Sequence, residues 1–180
     1  MIISKTDFQD LYVIENTPFT DDRGFFSRIY CKKEFAQICT KEIVQINQSV
    51  NLEKGTIRGM HYQASPFMEN KMIKCIQGSV FDVVVDIRKK SPTFLKWFGV
   101  TLSRENNKLI YIPEGFAHGF QTLEDKTELL YLHTEYYSPQ HERGIHFNDP
   151  VIKINWPVGL TNYSVKDFNF PFISNEFIGI

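Results

Sequence analysis

The sequence predicts an all-β fold, a sandwich or barrel of short strands, and three observations carry that prediction. Apolar residues almost nowhere recur at the 3.6-residue helical period, short runs rich in Val, Ile, Phe and Tyr dominate instead, and turn-forming residues punctuate them at close intervals. With 180 residues, against about 100–200 per domain, a single domain spanning residues 1–180 is expected. No internal repeat, low-complexity tract or Ser/Gly linker marks a boundary.

The elements follow in order. A short helix is expected from Tyr30 to Ile38, with Phe35 and Ile38 turned inward. Strands are expected from Val44 to Val50, Thr56 to Tyr62 and Met72 to Ile76, the last ended by Gln77-Gly78. The clearest strand runs from Val80 to Arg88: Phe81, Val83, Val85 and Ile87 share one face, and Asp82, Asp86 and Arg88 the other. Two carboxylates on one face imply a polar cavity or a solvated surface. Trp97 to Leu102, Lys108 to Ile112, His118 to Leu123 and Thr127 to Thr134 complete the strands, separated by turns such as Glu105-Asn106-Asn107 and Pro113-Glu114-Gly115. Beyond Ser138-Pro139 the prolines at 150, 157 and 171 break any long element, so an irregular C-terminal tail is expected. Its Phe168, Phe170, Phe172 and Phe177 are expected to pack onto the barrel or a neighbouring subunit.

Composition narrows the function. Aromatic residues reach 14%, and 42% hydrophobic with 23% charged residues exclude a disordered chain or a coiled coil. Twenty Lys and Arg against twenty-one Asp and Glu leave a net charge of -1. No footprint for nucleic acid or an anionic membrane follows, so an anionic ligand must be held by a few placed cations. No apolar stretch approaches the roughly 18 residues of a membrane span, and no basic region followed by an apolar run opens the chain, so a cytoplasmic location is expected. Cys31, Cys39 and Cys75 form no CxxC pair and are expected as buried small apolar residues.

Three segments carry candidate chemistry. Gln45, Asn47 and Ser49 share one strand face, which either lines a cavity with hydrogen-bonding groups or faces water. Arg58 and His61 sit on one strand but three residues apart, so a shared site requires Gly59 to seat a bulge or bend. The third is Ile112-Pro-Glu-Gly-Phe-Ala-His-Gly-Phe120, a Pro-x-Gly-x-x-His turn that feeds a strand. It resembles the second motif of the cupins, small jelly-roll barrels that hold a ligand inside. The first-motif counterpart, His61-Tyr62-Gln63, has Gln where a second metal-binding His would stand, and no partner Glu is evident, so a metal-free, cofactor-free cupin is expected.

Nearly the whole chain is similar to the dTDP-4-dehydrorhamnose 3,5-epimerase family. The matching stretches occur in order: Asp22-Arg-Gly-Phe-Phe26, Gln45-Ile-Asn-Gln-Ser49, Ile57-Arg-Gly-Met-His-Tyr-Gln63, Phe81 to Arg88, Ser91-Pro-Thr93, Ile112 to Phe120, Tyr136-Tyr-Ser-Pro139, Asn148-Asp-Pro150 and Ser164-Val-Lys-Asp167. The resemblance implies a cupin-type jelly-roll barrel with a few short helices. It also implies epimerisation of a nucleoside-diphosphate 4-keto-6-deoxy sugar at C3, C5 or both, in surface-polysaccharide sugar biosynthesis. The catalytic residues it implies are His61 as base paired with Asp167, Tyr131 as the acid across the ring, and Lys71 beside the enolate oxygen. It places Arg23, Arg58 and His118 at the diphosphate, Tyr137 at the base, and Phe25, Gln45 and Asn47 among the other substrate-binding residues. It further implies a homodimer in which an N-terminal strand carrying Arg23 crosses to the partner.

Two departures stand out. Arg28 replaces a carboxylate that helps hold thymidine in the family, so a GDP-linked hexose or heptose is expected, guanine offering acceptors to an arginine, with a dTDP-linked sugar as the alternative. Tyr131-Leu-His-Thr stands where the family usually has Tyr-Lys-Cys-Thr; Leu132 is expected to face away from Tyr131, and His133 to share its side. Two rivals remain: a nucleotide-sugar 3,4-ketoisomerase, which two histidines on one face would favour, and a non-catalytic sugar-binding cupin, which would lack the His/Asp dyad.

Overall fold

Thirteen strands and two single-turn helices follow one another in the computed structural model, which describes residues 1–180. In chain order they are β1 (Ile2–Lys5), β2 (Tyr12–Glu15), β3 (Phe19–Asp21), β4 (Gly24–Phe26), α1 (Lys32–Phe35), β5 (Gln45–Asn51), β6 (Ile57–Gln63) and β7 (Lys71–Gln77). The remainder are β8 (Ser79–Asp86), β9 (Trp97–Ser103), β10 (Lys108–Ile112), β11 (Phe116–Thr122), β12 (Thr127–His133), β13 (Glu142–Gly144) and α2 (Val165–Phe168). A six-stranded sheet, β1-β2-β10-β7-β12-β5, packs on a five-stranded sheet, β13-β6-β11-β8-β9, while β3 and β4 form a separate hairpin. Every named pairing is antiparallel, and the whole is a jelly-roll barrel of the cupin type.

Because side chains alternate across each strand, the barrel has three apolar layers rather than one. Between the sheets, Ile73, Cys75, Ile110 and Leu129 of the larger sheet meet Val80, Val84, Leu102, Phe116 and Phe120 of the smaller. Outside the smaller sheet, Val83, Val85 and Ile87 are covered by the tail through Ile152, Trp156, Ile173 and Phe177. Outside the larger sheet, Met72, Leu109, Tyr111 and Leu132 are covered by the α1 segment through Phe35, Tyr30 and Ile38. This explains the run Val83-Val84-Val85: β8 is buried on both faces.

The eight expected strands correspond to β5 through β12. The sequence does not reveal β1, β2, the β3–β4 hairpin and β13, all of three or four residues and too short to establish alternation. β13 lies in the tail expected to be irregular and is held by pairing to β6. The helix is a single turn, shorter than Tyr30 to Ile38, although Phe35 is buried as expected. Two further expectations need correction. Cys75 is buried, but Cys31 and Cys39 are half-buried. The carboxylates of β8 face neither a solvated surface nor one shared cavity: Asp86 is tied by Arg88, Ser91 and Thr93, and Asp82 lies fully buried against His118. No helix is long and apolar enough to cross a membrane.

The bulge expected at Gly59 is present. Between His118↔His61 and Phe120↔Arg58, β6 carries one residue more than β11, so positions 58 and 61 turn to the same face. Gly59 has φ +127°, and a β-carbon there would come within 2.5 Å of the Gly119 Cα. A Gly59→Ala variant must both adopt a conformation that L-residues avoid and displace β11. We expect a loss of about 1–3 kcal/mol or more and a fall in Tm of roughly 2–12 °C, with activity falling further than stability as Arg58 and His61 part. A variant that melts and turns over like wild type would show that the bulge does not depend on the missing side chain.

Candidate active site

The inner faces of the sheets enclose, toward one end, a cavity of about 290 Å³. Its position follows from the strand pattern. Along β12, Leu129 belongs to the dry layer between the sheets, whereas Tyr131 and His133 line the cavity. Along β5, Gln45, Asn47 and Ser49 line it, so the polar strand face noted in the sequence is a cavity wall. Lys71 of β7 is the register partner of His133 and completes this first wall. The facing wall is built from Arg58, His61 and Gln63 of β6, His118 and Phe120 of β11, and Glu142 of β13.

His61 and Asp167 form a dyad. The Nε2–H of His61 donates to Asp167 Oδ1 at 2.7 Å, and the Gly59 amide donates to the other carboxylate oxygen at 3.2 Å. Asp167 sits in α2, whose N-cap Ser164 accepts from the Asp167 amide at 3.0 Å. Burial pushes the Asp167 carboxyl up, but the bonds and charge of His61 and the Gly59 amide hold it below its ordinary range. With Nε2 carrying the proton, Nδ1 of His61 is the lone-pair nitrogen, suited to accept a proton. Phe170 of the tail meets the imidazole edge-on at 5.4 Å between centroids.

Tyr131 projects from the opposite wall. Its hydroxyl is 2.9 Å from Ser49 Oγ, and burial pushes the phenol well above its ordinary range against the smaller opposing effect of that bond. Lys71, on the same wall, forms an ion pair with Glu69, Nζ to Oε1 at 3.1 Å. On the His61 wall, Arg58 donates to Asn51 Oδ1 at 2.6 Å, and His118 pairs with the buried Asp82 at 2.9 Å. Burial raises the Asp82 carboxyl despite His118. Tyr137 lies at the rim, its hydroxyl donating to Glu142 at 2.6 Å. Leu132 points outward and His133 inward, as the alternation required.

The cavity thus brings together His61, Tyr131, Lys71, Arg58, His118, Tyr137, Gln45 and Asn47, with Asp167 buried against His61. It does not include Arg23, Phe25 or Arg28. Arg23 pairs with Asp21 on the exposed hairpin, Arg28 pairs with Glu34 at 2.9 Å, and Phe25 borders a separate surface groove with Phe26, Ile29 and Ile76. Glu69, Gln63 and Glu142 line the cavity and are not singled out by the sequence. Gln63 follows His61 at period two, a signal that could have found it; Glu69 lies before β7 and Glu142 on the three-residue β13, where no periodicity points to either.

A family model described as dTDP-4-dehydrorhamnose 3,5-epimerase matches residues 5–175. A dTDP-4-dehydrorhamnose 3,5-epimerase of Shigella flexneri is 46% identical over 171 residues, covering 94% of both chains. The crystal structure of the enzyme of that name from Bacillus anthracis, with TDP and pyrophosphate bound, superposes with a TM-score of 0.92 at 43% identity, covering 96% of this chain and 99% of that one. A dTDP-6-deoxy-D-glucose-3,5-epimerase from Legionella pneumophila, in complex with dTDP-4-keto-L-rhamnose, gives 0.91 at 41% identity, covering 95% and 92%. These relatives carry thymidine names and ligands, which do not support the expected preference for a GDP-linked sugar, and within the chain Arg28 pairs with Glu34 outside the cavity.

Proposed function

The chain belongs to the dTDP-4-dehydrorhamnose 3,5-epimerase family, an isomerase family, and on that premise we propose that it inverts C3 and C5 of a dTDP-linked 4-keto-6-deoxy sugar in surface-polysaccharide sugar synthesis. The observation that carries the reading is the placement of the His61–Asp167 dyad and the Tyr131 phenol on opposite walls of one cavity. Hydrogens at C3 and C5 both flank the C4 ketone and are acidified, because the carbanion left behind delocalises into an enolate. Inversion then needs a base on one face of the ring and an acid on the other. His61 Nδ1 takes the proton while Asp167 stabilises the imidazolium, the Lys71 ammonium faces the enolate oxygen, and the Tyr131 phenol returns a proton from across the ring. The raised phenol stays protonated at neutral pH, as an acid must.

Arg58 and His118 lie on the His61 wall where a diphosphate can meet them, and Tyr137 at the rim offers a ring to the thymine. Arg23 belongs in this reading to the partner subunit's cavity. The β3–β4 hairpin stands exposed with Phe19, Phe25 and Phe26 uncovered, and β5 is an unpaired sheet edge exposing Ile46 and Val50. Both features suit a homodimer joined through these segments. A 3,4-ketoisomerase keeps one point in its favour, since His118 and His61 are register partners on one wall. It would shift the carbonyl to C3 rather than invert a centre.

Three measurements test the reading. With the dTDP-linked 4-keto-6-deoxy-glucose in D2O, mass spectrometry should count two incorporated deuterons in an epimerised 4-keto product, and His61→Asn should slow incorporation by about 10²–10⁴-fold. Unimpaired exchange in that variant would remove His61 as base, and a 3-keto product would establish the ketoisomerase. In thermal-shift assays, dTDP at about 100 times its Kd should raise Tm by roughly 5–10 °C and GDP by much less; a GDP shift equal to that of dTDP would reverse the nucleotide assignment. Mixing and re-pairing inactive Arg23→Ala and His61→Asn chains should restore about a quarter of wild-type activity, because half the dimers then hold one site with both groups intact. No gain over the unmixed variants would place Arg23 in its own subunit or outside the site.

A further inference from the structure

Behind Lys71 lies a chain of hydrogen bonds that the proton transfers at His61 and Tyr131 do not use. The Glu69 side chain is 8% exposed and its carboxylate is shared: Oε1 forms an ion pair with the Lys71 ammonium at 3.1 Å, and Oε2 accepts from His133 Nδ1–H at 2.6 Å. The other imidazole nitrogen, Nε2, is 3.3 Å from the Asn47 amide nitrogen and accepts from it. The contacts thus run in one line, Asn47 to His133 to Glu69, with one imidazole nitrogen facing each neighbour. Strand register builds it: His133 sits between Lys71 of β7 and Gln45 of β5, and Asn47 pairs with Tyr131 two residues along. The His133 ring also stacks at 16° on the Tyr131 ring, 6.2 Å between centroids.

A lysine ammonium on a four-carbon stem has many rotamers, and a point charge stabilises an enolate oxygen only where it is held. We propose that His133 and Glu69 are positioning residues that hold the Lys71 ammonium at the enolate oxygen, and that His133 at the same time braces the Tyr131 ring, so one side chain aligns the oxyanion stabiliser and the acid. The inference rests on the role of Lys71 in the proposed epimerisation. The charge state of Glu69 suits this role, because burial pushes its carboxyl up but His133 and Lys71 outweigh that and keep it ionised. No proton is transferred along the chain; its contribution is geometric. A neutral amide at position 69 can accept from only one of the two donors and loses the charge that draws Lys71 in.

The test is a double-variant cycle on the full-length enzyme with steady-state kinetics, deuterium incorporation and Tm for each variant. Glu69→Gln and His133→Ala should each lower kcat roughly 10- to 100-fold with KM changed less than about threefold, the signature of a displaced group rather than lost substrate binding. His133→Asn, whose amide nitrogen can stand near the Nδ1 position and donate to Glu69, should recover most of the rate. In a Lys71→Met background, Glu69→Gln should have no further effect on the residual exchange rate. Effects that multiply in that background, or a Glu69→Gln enzyme with wild-type kcat, would overturn the proposal while leaving the epimerase reading intact. A Lys71→Met enzyme with wild-type kcat would overturn the proposal together with the role given to Lys71, whereas a wild-type enzyme that incorporates no deuterium would overturn the epimerase reading itself. Should His133→Ala fail to fold, the near-isosteric Glu69→Gln carries the cycle alone.

Discussion

The Asp167 carboxylate is the point on which the site depends. One oxygen holds the His61 imidazole and the other holds the amide of Gly59, the residue at which β6 takes its extra step. Without the bulge, Arg58 and His61 would face opposite sides of the sheet; with it, the two share a wall. The same carboxylate docks the C-terminal tail, because Asp167 belongs to a one-turn helix capped by Ser164 and followed by Phe170 against the His61 ring. Closure of the tail, orientation of the base and stability of the bulge are therefore one event, and the tail is part of the active site rather than an appendage to the barrel.

The two walls divide the chemistry. The five-stranded sheet carries His61, Arg58 and His118, in the proposed reaction the groups that take a proton or meet a phosphate. The six-stranded sheet carries Tyr131 and Lys71 on strands β12 and β7, which are hydrogen-bonded neighbours. Strand alternation makes this division robust: each wall's functional residues lie on strands whose other faces are sealed by apolar layers, Leu132 and Met72 beneath one and Met60 and Val83 beneath the other. A barrel held by three such layers can leave half its interior polar without losing its shape.

What the sequence reveals follows the same physics. Strands β5 to β12 are legible because each runs five residues or more and is bounded by turn residues, and Gln45, Asn47 and Ser49 declare a polar face by alternation. Asp167 is found by resemblance alone: no local pattern marks an aspartate in a one-turn helix as the partner of a histidine more than a hundred positions away, the separation being 106. Glu69 and Glu142 escape because they come from a loop and a three-residue strand. At Arg28 a change of residue type suggests a change of ligand, but within the chain its exposed guanidinium pairs with Glu34 six residues on, which supports no particular nucleobase.

The buried charges show where the interior favours function over stability. Asp82 is fully enclosed, and its Oδ1 has no hydrogen-bond partner. An unpartnered buried carboxylate oxygen costs on the order of 1–3 kcal/mol or more, and an apolar residue at that position, on the same strand face as Val80 and Val84, would avoid this cost. The carboxylate's one partner is His118, which forms part of the cavity wall. Asp82 fixes that ring's orientation from behind much as Asp167 does for His61, so the wall carries two His/Asp pairs of different exposure: His61 open to the cavity, His118 nearly enclosed. The exposed pair is free to exchange a proton with a ligand, while the enclosed one is confined to presenting a fixed edge. This difference in burial, rather than any difference in residue type, is what supports the proposed division in which His61 is the base and His118 binds.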